Sequence, residues 1–167
     1  MTKFFALAIV LFAFAASAFA QVSATATATA TIVTPIAITK TVDMNFGNAA
    51  VNASLGTIIL TPASTRSATG GVSFLTGSPG TVTAASFTVT GLAAATYAIT
   101  LPAAFTTVTS GGNTMTVDTW TSTPTPTGTL TGGTETLTVG ATLHVAANQP
   151  AGTYVSGIPF TVTVNYN

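Results

Sequence analysis

The chain of 167 residues contains no cysteine. That excludes disulfide staples, thiolate metal ligands and thiol nucleophiles. Charge is almost as scarce, with three Lys/Arg, three Asp/Glu and one histidine. Beyond residue 20 only Lys40 and Arg66 stand against Asp43, Asp118 and Glu135. So sparse a set gives no electrostatic footprint for nucleic acid or anionic lipid. Long apolar runs are missing after the leader, and a helical span needs roughly 20 such residues. No stretch past the leader keeps a helical period.

What replaces charge is threonine, about a quarter of the residues beyond position 20. Threonine is β-branched and favours strands, so the composition points to an all-β protein with a hydroxyl-covered surface. Low charge and high strand propensity favour association between exposed strand edges. The same traits describe an aggregation liability.

The first 20 residues read as a signal peptide. Met1-Thr2-Lys3 is a cationic start, Phe4 to Ala16 is an apolar run, and Ala18-Phe19-Ala20 supplies small residues before a cut at Gln21. The expected destination is the periplasm, the cell surface or the medium. The remaining length suits one domain with a real core.

From Val22 to Phe46 nearly every even position is apolar. A period of two means extended chain with one dry face. The reading is an alternating Ala/Thr strand over 21–34, a candidate donor strand, followed by a β-sandwich domain over 35–167. Candidate donor residues are Val22, Ala24, Ala26, Ala28, Ala30 and Ile32. The segment is about a dozen residues, roughly 40 Å when extended. The alternative is that it forms the first strand of its own sandwich.

Further strands follow at short spacing. Gly56 to Leu60 ends at Pro62, and Gly70-Gly71 reads as a turn into Val72 to Leu75. Alternation recurs around Phe87 and Val89, at Tyr97, Ile99 and Leu101, and from Leu137 to Val145. Gly111-Gly112-Asn113 is a turn, and Pro124 to Gly128 a loop. The close of the chain alternates through Phe160, Val162, Val164 and Tyr166, the candidate acceptor edge. Many short strands without helices predict an antiparallel β-sandwich, immunoglobulin-like in topology, with a closed barrel as the structural alternative. Scattered aromatics argue against a membrane barrel.

Chemistry is thinly represented. His144 falls on the Thr142 side of its strand, a surface position. Asp43, Asp118 and Glu135 are far apart in sequence, and no Gly-x-Ser-x-Gly elbow, phosphate loop or metal spacing accompanies them. Asn52-Ala53-Ser54 matches a glycosylation triplet of a kind frequent by chance. Arg66 reads as a turn-anchoring donor or a solvated cation. Trp120 with Tyr97 or Tyr154 could stack on a sugar, although packing is the commoner use of such rings. The expectation is a non-enzyme that needs no cofactor or metal.

Several stretches carry a resemblance. Ile38-Thr39-Lys40-Thr41-Val42-Asp43-Met44-Asn45-Phe46-Gly47, Ala84-Ala85-Ser86-Phe87-Thr88-Val89-Thr90-Gly91, Gln149-Pro150-Ala151-Gly152-Thr153-Tyr154 and the ending Phe160-Thr161-Val162-Thr163-Val164-Asn165-Tyr166 resemble the bacterial exported family known as domain of unknown function 4402. That resemblance implies a fold and an exported location but no activity. A looser likeness is to spore-coat-U-type pilins of archaic chaperone–usher systems, through the early Asn-Phe-Gly step and the Ala-Gly-Thr-Tyr before an alternating strand. In such pilins the N-terminal segment completes the next subunit, which implies self-association by strand exchange and a periplasmic chaperone as partner. This chain departs from them in lacking a cysteine pair and in its Ala-rich donor. Two functions follow as expectations: a pilin-like surface-fibre subunit, or a self-complete secreted module that binds carbohydrate or a cell-surface partner.

Overall fold

The computed structural model describes residues 21–167, so the expected signal peptide lies outside the described residues. Residues 21–36 enter no strand, and the side chains of 21–32 are exposed. The chain divides into two units at Ile32/Val33, and every strand among the described residues lies in the second.

That second unit is all-β and antiparallel. Its strands are β1 (Ala37–Val42), β2 (Asn45–Phe46), β3 (Ala49–Leu60), β4 (Arg66–Phe74), β5 (Val82–Thr83), β6 (Ala85–Thr90) and β7 (Thr96–Thr100). Then come β8 (Thr106–Ser110), β9 (Asn113–Thr123), β10 (Thr127–Thr129), β11 (Thr134–Val145), β12 (Val155–Ser156) and β13 (Thr163–Tyr166). The large sheet runs β1-β6-β11-β9-β8-β12, with β3 and β4 branching from β11. A second sheet, β10-β7-β13, covers it, and β2-β5 forms a small ribbon. The result is a β-sandwich whose larger sheet curls into a half-barrel.

β11 is the organising strand. Its residues Leu137, Val139, Ala141, Leu143 and Val145 are all buried, as the period of two requires. One edge of β11 pairs first with β6, through Thr134–Val139, and then with β3, through Ala141–Val145. The exchange happens at Gly140, where a Cβ would stand 2.2 Å from the Leu60 carbonyl oxygen. Only glycine lets β3 come that close.

Two buried clusters result. One centres on Val89, Tyr97, Leu130, Leu137, Val139 and Val164, the other on Ile58, Val72, Val117 and Leu143, and Trp120 packs against both. The outer face is built of hydroxyls, with cross-strand rows such as Thr39–Thr88–Thr136 and Thr69–Thr57–His144–Thr116–Thr107. Cross-strand Thr pairs of this kind stabilise a sheet by tenths of a kcal/mol each, roughly 0.2–1.

The glycine pair Gly70-Gly71 is not a turn. Both residues lie inside β4, and Gly70 pairs with Gly56 across a register shift between Val51 and Gly56. Gly70 has φ 63, and a Cβ on it or on Gly71 would come within 2.1 Å of the Leu55 or Ser54 carbonyl oxygen. The glycines admit a bulged neighbour, and the actual turn lies at Thr61–Thr65. Pro124 to Gly128 likewise contains the start of β10, which pairs with β7. Gly111 and Gly112 are a true hairpin turn, both with positive φ, 55 and 86.

Candidate functional site

The acceptor-edge residues Phe160, Val162, Val164 and Tyr166 alternate inward as expected. Val162 and Val164 are buried, whereas Phe160 and Tyr166 are half-buried. Among the described residues β13 pairs on one side only, with β7. The Asn167 N–H donates to the Thr96 carbonyl, which sets the phase of that ladder. By alternation the backbone groups of Val164 and Tyr166 point the other way, without a backbone partner among the described residues.

β1 is also an edge, paired among the described residues only with β6. The Gly91 N–H donates to Gly133 and fixes the phase of β6, so Ile38 and Lys40 of β1 turn their backbone groups outward. β1 and β13 belong to different sheets yet lie beside each other. The Tyr166 hydroxyl joins them at one end: it donates to the Thr34 carbonyl at 2.8 Å and accepts the Leu92 N–H at 2.6 Å. The seam between the two edges opens onto the first cluster, whose half-buried margin is Ile36, Ile38, Phe87, Phe160 and Tyr166.

The candidate donor residues lie in the separate N-terminal unit. Val22 is 93% and Ile32 94% exposed, and Ala24, Ala26, Ala28 and Ala30 are exposed too.

Elsewhere, the outer face brings His144 and Asp118 together. Nε2 of His144 lies 2.8 Å from Asp118 Oδ1, and the Thr119 hydroxyl donates to the same oxygen at 2.9 Å. These bonds hold the Asp118 carboxyl below its ordinary range, the histidine contact contributing most. Both side chains are half exposed, 47% and 41%. The imidazole nitrogen nearest the carboxylate is occupied by that contact, and Thr119 serves the carboxylate rather than the histidine. Sequence reasoning missed this pairing because it depends on the register of β9 against β11. Asp43 is engaged by Lys40 at 2.6 Å, and Glu135 accepts the Thr129 N–H. No group of three or more His, Asp or Glu side chains clusters as a metal site among the described residues.

Arg66 is an anchor. Its guanidinium donates to the Phe46 carbonyl and, at 3.1 Å, to that of Pro79, and it lies 4.0 Å over the Phe74 ring. The aromatic residues singled out with Trp120 do not gather around it. Tyr97 is fully buried, and Tyr154 donates to the Pro150 carbonyl, so neither accompanies Trp120. Phe160 does, with ring centroids 4.5 Å apart.

No helix among the described residues is long and apolar enough to cross a membrane. Comparison with curated proteins and with solved structures finds no match. The family described as Domain of unknown function (DUF4402) matches residues 36–166, from the approach to β1 to the end of β13, and the chain belongs to that family.

Proposed function

We propose that this protein is an exported, non-enzymatic structural subunit, pilin-like, assembled by strand addition. The segment Val22–Val33 of one copy would enter the seam between β1 and β13 of the next. One observation carries the reading: two edge strands, each with one strand partner among the described residues, meet at the half-buried margin of the core in a chain whose N-terminal segment alternates apolar and polar side chains outside any strand.

Strand addition draws affinity from main-chain hydrogen bonds and specificity from alternate side chains. Either edge offers outward backbone groups to an added strand, each net hydrogen bond contributing about 0.5–1.5 kcal/mol. The small donor side chains suit an acceptor whose floor is already occupied by Phe87 and Phe160, 6.5 Å apart. Each alanine methyl adds about 0.8 kcal/mol, and Val22 and Ile32 add about 1.5–3 each. A head-to-tail contact of this kind does not close on itself, so its product is a filament. The likeness to spore-coat-U-type pilins points the same way.

The test is size-exclusion chromatography with light scattering on residues 21–167 beside a form beginning at Pro35. Ladders or filaments from the longer form, and a monomer from the shorter one that takes up a 22–33 peptide, are expected. A clean monomer from the longer form at high concentration would overturn the proposal.

A further inference from the structure

A second feature of the sandwich lies on β9, away from the backbone edges of the seam, although its tryptophan rests on Phe160. β8 leaves β9 at the pair Thr106↔Val117, and the preceding chain swings away from the sheet. There β9 carries a bulge: Thr142 pairs with Asp118 and Gly140 with Thr121, so Thr119 and Trp120 together oppose Ala141. Thr119 adopts φ 50, an outlier for a β-branched residue. The extra residue reverses the face alternation. Val117 is buried ahead of the bulge and Ser122 behind it. Bulges commonly re-aim a side chain beside a functional site, and retained backbone strain concentrates at such places.

The re-aimed residues border an open cleft of about 420 Å³, within the range of ligand sites. Its lining includes Leu101, Phe105, Asp118, Thr119 and Trp120. Trp120 is held in place, its Nε1 donating to the Ala104 carbonyl at 3.2 Å and its ring braced by Phe160. Phe105 is 63% exposed. Asp118 commits Oδ1 to both His144 and Thr119, while Oδ2 has no hydrogen-bond partner among the described residues. The cleft thus combines aromatic surface, a carboxylate with fixed orientation and one free oxygen, and an adjacent hydroxyl.

We propose that this cleft binds a neutral saccharide. The C–H face of a sugar ring is apolar and matches the Phe105 and Trp120 rings, while its hydroxyls donate charge-assisted hydrogen bonds to Asp118 Oδ2. The ligand is neutral because Asp118 is the one charged side chain in the lining and would repel an acidic sugar. Phe105, Asp118 and Trp120 are the contact residues; Thr119 and His144 are positioning residues that hold the carboxylate.

Trp120 is the chain's sole tryptophan, so its fluorescence reports on this cleft directly. Residues 21–167 would be titrated with cellohexaose, maltohexaose, mannohexaose and a galacto-oligosaccharide, with polygalacturonate as the acidic comparison and choline as a cationic one. A saturable fluorescence change with at least one neutral oligosaccharide is expected. Phe105→Ala and Asp118→Asn should each weaken it about tenfold or more while circular dichroism stays unchanged. His144→Ala should weaken it less. No response to any neutral saccharide overturns the proposal, and so does binding that survives Phe105→Ala. A response to choline alone would reassign the cleft to a cation.

Discussion

Tyr97 is the largest fully buried side chain of the core, yet its hydroxyl has no hydrogen-bond partner among the described residues. Burial, and after it a contact with the Glu135 carboxylate whose geometry falls short of a hydrogen bond, push the phenol well above its ordinary value. A buried hydroxyl without a partner contributes nothing to offset its desolvation. Tyr97→Phe should therefore leave stability within about 1 kcal/mol of the parent or raise it, whereas Tyr97→Ala should cost about 3–5 kcal/mol in urea denaturation. Asp118 supplies a pH prediction. Its carboxyl is depressed in the folded state, so its stabilising contribution is complete above 3.8 and disappears as pH falls through the lower folded-state value. Asp118→Asn should flatten that part of the acid-side decline in melting temperature. The effect is small, because an exposed pair is screened by solvent.

At the scale of elements, glycine separates what was legible from what was not. The run from Leu137 to Val145 announces a buried strand by its alternation, and the structure places that strand at the centre of the sheet. Gly70-Gly71 reads as a turn, and only the close approach of the Leu55 backbone shows that these glycines sit inside a strand. β8 is five residues with few large side chains, too little for periodicity to mark. The Asp118–His144 pair and the cleft beside it depend on a one-residue bulge, which shifts register without leaving a pattern in sequence. Gly140 tests the element-scale account. A Cβ there meets backbone at Leu60 and Thr61, which cannot yield as a side-chain tip would. Gly140→Ala should cost about 1–3 kcal/mol and expose the β3 amides in hydrogen exchange. Gly77→Ala, where nothing lies within 4 Å, should not.

For the molecule as a whole, the proposed strand addition at β1 and β13 can be tested through the backbone. The two edges differ in what each backbone group does, so proline can be used to query one ladder at a time. At Asn165 the N–H belongs to the ladder with β7, and Asn165→Pro should destabilise the sandwich itself. At Val164 the N–H points into the seam, so Val164→Pro removes a donor that only an incoming strand would use. The loss of valine packing lowers monomer stability moderately, by about 1–2 kcal/mol. Circular dichroism should retain the β spectrum, while light scattering of residues 21–167 shows no ladders. Ile32→Asp probes the donor side, where a 94% exposed residue can change with less than about 0.5 kcal/mol effect on the monomer. Mixing the two variants separates the roles. Val164→Pro chains keep a sound donor and Ile32→Asp chains a sound acceptor, so an equimolar mixture should form a discrete heterodimer and stop. If the mixture yields long filaments, or if either variant polymerises alone, the seam is not where subunits join.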